Sequence, residues 1–459
     1  MRRNRVIIAR RWGWPIYAEK STHTLMVGAT RSGKTTSGIL PNALLWKGSL
    51  IAASSKEEVM KETYRERLEL GPVWCLDLRP GGYRLPEGVL AADWSPLHGL
   101  DSRQHGWDRA RGIAQAMSGV TQQKGSGGDP YWAERGASLL APVMWAAAIN
   151  GKPLSRVLEW LREPDISPAR AIIESEIDKG RRGAKEVYHQ LSEFAGGKLT
   201  EGGHGSSIVS SAVNALSWAG GRVLERCDIG TFAPELLVKG GTLYIISPSI
   251  SASSYGGAPA VVGVLNGLWV ATRDAKEHEN PETAEQLWLL DEVANIAPVP
   301  LTNLLSESAG YGITLAAAVK SYAQLENRWG EQEARSIVDN SLNKLTWGGL
   351  SDATFLRILE AIGGERTVAV RGGLGARERR PSWTVERIKH LPKRSVLVYS
   401  RRRPRLLKAA YYKSLWSIKH LLEMRDPVQY QRRTIARIVA TGVLSTALIA
   451  AVIMSNIHF

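Results

Sequence analysis

The sequence predicts an α/β protein with a doubly wound, parallel sheet, and three observations support this fold class. Short apolar runs alternate with helical patterns along much of the chain. A glycine-rich loop directly follows the first of these runs, at residues 28–35. A stretch that reads as helices alone, residues 96–220, interrupts the alternation. Together they predict an α/β domain into which an all-helical domain is inserted.

Seven apolar runs bounded by turn residues are the predicted strands. Strands of a parallel sheet are buried on both faces, so they read as continuous apolar runs rather than as alternating ones. The runs are residues 24–29 (TLMVGA), 49–54 (SLIAAS), 73–78 (VWCLDL), 242–247 (TLYIIS), 287–292 (LWLLDE), 313–318 (ITLAAA) and 395–400 (SVLVYS).

Five helical patterns fill the interrupting stretch. Two glycine-rich joints, residues 122–130 and 201–207, are expected to be flexible loops. The helical patterns are residues 107–120, 131–149, 153–163, 168–180 and 183–197.

Composition indicates a multi-domain protein with one strongly basic region. At 459 residues the chain suggests two or three domains. The net charge is +15, and residues 365–437 hold 20 Lys and Arg against 5 Asp and Glu, which accounts for the whole excess. Polyanions, meaning nucleic acid or anionic lipid, are the expected partners of such a block. Cys75 and Cys227 are too few for a disulfide framework or a metal cluster and are expected to be buried thiols.

The C-terminal residues 438–454 predict a membrane anchor. They contain no charged side chain, and a membrane span needs about 17–25 such residues. The basic flank, residues 431–437 (QRRTIAR), would keep the bulk of the protein in the cytoplasm by the positive-inside rule. A buried C-terminal helix is the alternative, which the absence of a polar stripe disfavours.

A phosphate-binding loop is predicted where the first strand ends, because the residues there match the pattern G-x-x-x-x-G-K-[ST]. Its glycines let backbone N–H groups converge on phosphate oxygens. Lys34 would contact the β- and γ-phosphates of ATP, and the Thr35 hydroxyl would bind Mg²⁺. A chance glycine-rich turn is disfavoured by the apolar strand before the loop and the helical pattern after it. The predicted nucleotide-binding residues are Gly28, Ala29, Thr30, Arg31, Ser32, Gly33, Lys34, Thr35 and Thr36.

An acidic pair follows the fifth predicted strand. Four apolar residues place Asp291 at the carboxyl end of a buried strand, where ligands collect in doubly wound sheets. Asp291 would hold Mg²⁺ through water, and Glu292 would orient and deprotonate the attacking water. Such a pair alone is a weak signal, but together with the phosphate loop it predicts an ATP-hydrolysing site.

Residues 28–59 resemble the start of the type IV secretion coupling proteins, the TraG/TraD-like conjugation ATPases. In that family the phosphate loop leads to a proline, a leucine pair and a tryptophan, an order that Pro41, Leu44, Leu45 and Trp46 reproduce. The resemblance thereby accounts for a proline only seven residues after Lys34. It covers residues 12–415, and its further matches are residues 73–78 with 92–97, 129–140, 290–296 with 310–330, and 391–412.

The resemblance implies a RecA-like ATPase that acts as a ring, with a homo-hexamer expected. Its function would be ATP-driven coupling of DNA, or of a DNA–protein complex, to a type IV secretion channel of the bacterial cell membrane. The expected partners are single-stranded DNA bound without sequence preference, the relaxase or relaxosome, the channel proteins and the membrane. The implied domains are residues 1–95 and 221–425 for the nucleotide-binding domain, 96–220 for the inserted helical domain, and 431–457 for the basic flank and anchor.

Two other function classes stay open. A double-stranded DNA pump of the FtsK/HerA type shares the same core but should carry an additional DNA-reading domain. A non-translocating membrane docking receptor would bind nucleotide and hydrolyse it weakly. DNA-stimulated ATP hydrolysis separates this receptor from either motor.

Two stretches depart from the family's pattern near the predicted site. After the second strand, where the family has a KGE stretch, Lys56 and Glu57 match only in part. Lys320 stands where the family usually has a glutamine that senses the γ-phosphate. It is either a catalytic cation, beside Lys34, Asp291 and Glu292, or a solvated lysine at a strand end.

A third departure concerns a cation acting between subunits. Ser308 and Ala309 replace the family's Gly-Arg pair, whose arginine reaches the nucleotide of a neighbouring subunit. We expect another cation to compensate, either Lys320 within its own subunit or Arg328 or Arg335 across a subunit boundary.

The basic C-terminal block has three possible uses: contact with DNA phosphates, contact with anionic lipid, or simple solvation. Arg401, Arg402, Arg403 and Arg405 follow a predicted strand, and phosphate contact is the favoured use for them. Residues 431–437 adjoin the predicted anchor and are better assigned to lipid headgroups.

Overall fold

The computed structural model describes residues 4–82, 84–121, 130–195, 202–250, 256–369 and 377–424. These residues form fourteen β-strands. The strands are β1 (Ile7–Arg11), β2 (Trp14–Tyr17), β3 (Thr24–Val27), β4 (Ser49–Ser54), β5 (Val73–Asp77), β6 (Val89–Ala91), β7 (Thr242–Ile246), β8 (Gln286–Leu290), β9 (Ile313–Val319), β10 (Asn343–Thr346), β11 (Glu365–Ala369), β12 (Arg377–Pro381), β13 (Ser395–Tyr399) and β14 (Arg405–Lys408).

The same residues form seventeen α-helices, besides a π-helical turn (Thr35–Ile39) and short 3₁₀ turns. The helices are α1 (Leu40–Leu45), α2 (Glu58–Leu68), α3 (Gly106–Gly119), α4 (Pro130–Ile149), α5 (Leu154–Arg162), α6 (Ser167–Asp178), α7 (Ala184–Glu193), α8 (Gly202–Ala215), α9 (Gly221–Ile229), α10 (Ala258–Glu277), α11 (Val293–Ile296), α12 (Leu301–Glu307), α13 (Tyr322–Trp329), α14 (Glu331–Asn340), α15 (Ala353–Ile362), α16 (Val385–Lys389) and α17 (Trp416–Met424).

Twelve strands form one mixed sheet in the order β2-β1-β14-β13-β10-β3-β9-β8-β4-β7-β5-β6. From β10 to β6 every neighbouring pair is parallel. The other four strands, at the opposite end, pair antiparallel. All seven predicted strands are present, but the prediction of a parallel strand at residues 395–400 is wrong, because β13 runs antiparallel to β10.

Both faces of the sheet are buried, which explains the continuous apolar runs. Leu25 and Val27 of β3 point into one core and Met26 into the other. In the same way Trp288 and Leu290 of β8 belong to the first core and Leu289 to the second. α10 and the interrupting helices cover the first face, whereas α1, α2 and α17 contribute to the second. Cys75 and Cys227 are buried thiols, as predicted.

The stretch between β6 and β7 is helical, as predicted, and contains α3 to α9. Its apolar side chains join the core on the first face of the sheet. The described part of the second glycine-rich joint is not a loop, because Gly202 begins α8. α9 begins at Gly221, just beyond the expected boundary at residue 220, and the division into domains stays a prediction.

Two expectations fall on residues outside the described part of the chain. They are the first glycine-rich joint, of which residues 122–129 are outside, and the basic flank and anchor at residues 431–457. Within the described ranges, no helix is both long enough and apolar enough to cross a bilayer.

Candidate nucleotide-binding site

The predicted phosphate loop lies at the carboxyl end of β3, within the parallel part of the sheet. Its backbone turns through two left-handed residues, Arg31 at φ 61° and Gly33 at φ 102°. A Cβ on Gly28 would lie 2.6 Å from Ser32 Oγ and 3.3 Å from Trp347 Cβ. The loop therefore needs glycine twice, at Gly28 for space and at Gly33 for backbone conformation.

The Lys34 side chain folds back into its own loop. It is buried, and its ammonium group donates to the carbonyl oxygens of Gly28 and Ala29, the latter at 3.0 Å. Burial lowers the pKa of Lys34, while Asp291 and Glu292 act in the opposite direction. An ammonium group held only by neutral carbonyls can exchange them for phosphate oxygens, which are stronger acceptors.

The other predicted loop residues surround this cation. Ser32 N–H donates to Ala29 O at 3.2 Å, and Thr36 Oγ1 donates to Gly33 O at 3.3 Å. Thr30 and Arg31 are exposed at the tip of the loop. Ser32 Oγ is buried without a hydrogen-bond partner among the described residues. Such a group is expected to find a partner in a bound ligand or water, which fits a phosphate at this loop.

The helix after the loop accommodates Pro41 by changing its hydrogen-bond pattern. Thr35–Ile39 is a π-helical turn, and Leu40 N–H donates to Thr35 O, five residues back. α1 continues from it, and Pro41 lies in the first turn of α1, where the missing N–H is tolerated. The early proline is therefore associated with a π-bulge beside the site, a feature common at functional sites.

Asn42, which the sequence analysis did not single out, ties this helix to the antiparallel end of the sheet. It is buried, and its amide accepts from Ile7 N at 2.7 Å and donates to Ile7 O at 3.1 Å and Gly38 O at 2.7 Å. A lone asparagine inside an otherwise apolar helix was the available signal.

Thr35 and Asp291 meet, as the predicted magnesium site requires. Thr35 Oγ1 donates to Asp291 Oδ2 at 3.3 Å, and Asp291 N donates to Ala53 O at 2.9 Å, which continues the strand register beyond β8. Loss of solvation and the neighbouring Glu292 raise the pKa of Asp291, and Lys34 opposes this shift. Two adjacent hard oxygen donors suit Mg²⁺, which completes its shell with water and phosphate.

Glu292 and Lys320 form an ion pair next to this group. Lys320 Nζ lies 2.9 Å from Glu292 Oε1. The backbone of Glu292 is left-handed, at φ 55°, where β8 turns into α11. Lys320 N donates to the side chain of Gln324 at 2.8 Å, another residue that the sequence analysis missed. The carboxyl ends of β3, β8 and β9 thus bring together Lys34, Thr35, Asp291, Glu292 and Lys320.

The positions considered for a cation between subunits lie on other elements than the site residues: a 3₁₀ turn, α13 and α14. Ala309 precedes β9, so the seven-residue strand, roughly 23 Å long, separates it from the phosphate-loop edge of its own subunit. Arg328 is buried and donates to Val120 O of its own chain at 2.6 Å, which disfavours it for a contact with a neighbouring subunit. Arg335 is exposed and pairs with Glu331, and its role stays a prediction.

Sequence comparison matches most of this chain to one family model. The family model described as "Type IV secretory system Conjugative DNA transfer" matches residues 9–380. The conjugal transfer protein TraG of Agrobacterium fabrum (strain C58 / ATCC 33970) is 23% identical over 364 residues, which are 76% of this chain and 52% of TraG. TraG of Rhizobium radiobacter is 22% identical over 362 residues, 76% of this chain and 53% of that protein. The chain therefore spans about half the length of these relatives.

Structural comparison gives the same picture for the fold. The unbound bacterial conjugative coupling protein TrwBdeltaN70 has a TM-score of 0.63 at 18% identity, over 89% of this chain and 88% of that one. The plasmid coupling protein TrwB in complex with ADP and Mg²⁺ has a TM-score of 0.61 at 18% identity, over 90% and 94%. The fold shared with these structures is the RecA-like α/β fold with a mixed sheet.

Proposed function

Because the chain belongs to the type IV secretory system conjugative DNA transfer family, we propose that it is a Mg²⁺-dependent ATPase that couples DNA to a secretion channel. Its substrate is DNA or a DNA–protein complex, delivered by a relaxase or relaxosome. The observation that carries the proposal is the meeting of a complete phosphate loop with Asp291 and Glu292, through the 3.3 Å contact from Thr35 to Asp291. The ADP–Mg²⁺ complex of the similarly folded TrwB supports this choice of ligand.

Each residue of the site has a separate task in hydrolysis. The loop backbone from Gly28 to Thr36 and the Lys34 ammonium bind and neutralise the phosphates. Thr35 and Asp291 would hold Mg²⁺, which would neutralise charge at the phosphates. Glu292 accepts the proton of the attacking water, and Lys320 positions Glu292 through their ion pair.

Replacing Lys34 by alanine tests this proposal. The hydrogen bonds of Lys34 go to main-chain carbonyls of its own loop, so its loss should leave the fold intact. ATP hydrolysis should fall about 10²- to 10³-fold. The matched control is Lys344→Ala, which removes a half-buried lysine of the adjacent strand β10 whose ammonium donates to Ser341 O. Wild-type hydrolysis by the Lys34→Ala protein would overturn the assignment.

A docking receptor with weak ATPase activity is the second candidate. The Lys320–Glu292 ion pair favours it, because a base that is engaged by a cation is less ready to accept a proton. Hydrolysis that single-stranded DNA does not stimulate, with nucleotide binding retained, would select the receptor over the motor.

Assembly and location complete the proposal. The ATPase works as a ring, with a hexamer expected, and Arg335 contacts the nucleotide of the neighbouring subunit. Residues 438–454 anchor it in the bacterial cell membrane with its bulk in the cytoplasm. Ending the chain after Tyr430 should then release an ATPase that no longer sediments with membranes.

A further inference from the structure

Three exposed tryptophans gather at the antiparallel end of the sheet. Trp12 is 76% exposed, and Trp14 and Trp416 are each 57% exposed. Ten of the other tryptophans are buried, and exposed apolar surface in a cluster marks an interaction site more often than scattered residues do. We call these three residues the tryptophan cluster.

The backbone that presents Trp12 is unusual for so large a side chain. Trp12 and Gly13 form the two-residue turn between β1 and β2, at φ 50° and 84°. Turns of this type favour Asn or Gly, because a bulky residue is strained in the left-handed region. The guanidinium carbon of Arg11 lies 4.2 Å from the Trp12 ring centroid. A strained backbone that presents an exposed side chain points to a role for that side chain in binding rather than in folding.

A hydrogen bond and a ring contact fix the position of Trp416 relative to the β1–β2 turn. Trp416, the first residue of α17, donates its backbone N–H to Gly13 O at 3.0 Å. The centroid of its ring lies 5.4 Å from that of Trp14. A Cβ on Gly13 would lie 2.6 Å from Trp416 Nε1, so only glycine lets the ring approach the turn. The hairpin and α17 therefore hold the rings of Trp14 and Trp416 together, and Trp12 is exposed in the same turn, next to Gly13.

Exposed cations lie on the elements that carry these tryptophans and on the neighbouring strand. Arg11 is exposed beside Trp12, and Lys413 and Lys419 are exposed just before and within α17. Lys408 of β14 is exposed and lies in register with Arg10 of β1. Tryptophan with Lys and Arg at its border is the composition of protein surfaces at the membrane–water interface, where the ring is amphipathic and the headgroups are anionic.

The chain connection favours the bilayer as the occupant. Thirteen residues, 425–437, separate the end of α17 from the uncharged residues 438–454, a distance of about 45 Å at full extension. We propose that the tryptophan cluster lies in the headgroup region of an anionic bilayer and orients the ATPase body on the membrane. This inference rests on the membrane location in the proposed function.

Single-stranded DNA is the rival occupant, because bases stack on aromatic side chains. Two features disfavour it. Arg11 already covers one face of Trp12, and Trp14 meets Trp416 edge-on, at 62°, rather than leaving a slot between parallel rings.

Quenching of tryptophan fluorescence by brominated lipid tests the proposal on the full chain reconstituted into vesicles of anionic phospholipid. Residues 438–459 contain no tryptophan, so quenching reports only on the body of the protein. We expect quenching in the wild type that disappears when Trp12, Trp14 and Trp416 are all replaced by Phe. Trp132→Phe, a partly buried tryptophan of α4, is the matched control and should leave the quenching unchanged.

Two further measurements separate the possible failures. Flotation of the same vesicles reports membrane attachment: protein that floats but is not quenched overturns the cluster alone, and protein that does not float overturns the membrane location as well. Quenching that survives in the triple variant places another surface at the membrane and also overturns the proposal. A single-stranded oligonucleotide that alters the fluorescence of the cluster, while brominated lipid does not, assigns the surface to DNA. The single variant Trp12→Phe, at an exposed turn, should keep the fold and lose part of the quenching.

Discussion

The parallel centre of the sheet and its antiparallel end handle charge in opposite ways. At the centre Lys34, Asp291, Glu292 and Lys320 converge within one small site and offset one another. At the antiparallel end Arg402, Arg403 and Arg405 are exposed without an ion pair among the described residues, and Arg401 has a single long contact, to Glu19 at 3.5 Å. Convergent charges suit a small ligand of defined geometry, whereas dispersed cations suit an extended polyanion.

The largest effect should come from neutralising one convergent charge. Glu292→Gln keeps the shape of the side chain but cannot accept a proton, so we expect hydrolysis to fall about 10²- to 10⁴-fold while ATP stays bound. Single-turnover hydrolysis and retention of labelled ATP on a filter measure the two properties. Glu307→Gln, an exposed acid at the end of α12, is the control. An equal loss in both variants would mean that the centre of the sheet has no special carboxylate.

The dispersed cations should act through salt dependence. On single-stranded DNA each neutralised phosphate contributes about −0.7 to the slope of log K against log salt concentration, so replacing four arginines by alanine should flatten it by up to about 2.8. The variant removes Arg401, Arg402, Arg403 and Arg405. Oligonucleotide binding at several salt concentrations gives the slope.

The control for this measurement removes four exposed cations from the interrupting helices and their loops: Lys152, Arg162, Arg182 and Lys185. It should leave the slope unchanged. A slope that flattens in the control and not in the arginine variant would move the DNA contact to those helices. Affinity that does not depend on salt would argue against phosphate contact altogether.

The two regions also differ in how well the sequence predicts them. Strands buried on both faces read as apolar runs, so six parallel strands were predicted correctly. Two parallel strands were missed. β6 is only three residues long, and two of the three are exposed. β10 has Leu345 as the single apolar side chain in its NKLT sequence, and its register comes from β3 and β13. β1 and β2 mix apolar with exposed residues, and β12 is exposed along its length. Such strands are specified by their partners rather than by their own composition.

The residues of the site also differ in how well the sequence predicts them. The loop pattern and the acidic pair are local in sequence, so Lys34, Thr35, Asp291 and Glu292 could be predicted as a group. The contacts of Asn42 with Ile7 and of Lys320 with Glu292 join distant segments, and only the sheet order brings them together. The burial of Arg328 has the same origin, because its partner, Val120, follows α3.

A buried histidine should give the parallel centre a measurable dependence on pH. His23 Nδ1 accepts from Leu315 N at 3.0 Å, and burial lowers the pKa of His23 to about 4. Between pH 6.5 and 4 the unfolded chain binds a proton that the folded chain does not, so stability should fall as the pH falls, by up to about 1.4 kcal/mol per unit. Urea midpoints at pH 7.5, 6 and 5 measure this.

In the His23→Gln variant the dependence should be weaker, since no titratable group remains at this position. His278→Gln, at an exposed histidine, should follow the wild type. Parallel curves for all three proteins would mean that His23 does not titrate differently in the two states.

The smallest effect is expected at Lys320, the partly exposed cation of the convergent site. Its ammonium contacts Glu292 at 2.9 Å, but the lysine side chain is 38% exposed, and ion pairs of this kind contribute about 0.2–1 kcal/mol. Lys320→Gln should therefore change hydrolysis by no more than about fivefold, and Lys320→Arg should restore the wild-type rate, because a cation beside Glu292 is all that positioning requires. A loss of about 10²-fold or more, which arginine does not rescue, would show that Lys320 contacts the transferred phosphate directly. In that case the site would have two catalytic cations, Lys34 and Lys320, that both contact phosphate. The ion pair of Lys320 with Glu292 would then exist only in the nucleotide-free protein. KM and kcat measured separately distinguish the two outcomes, since a positioning residue affects kcat alone whereas a phosphate contact also weakens nucleotide binding.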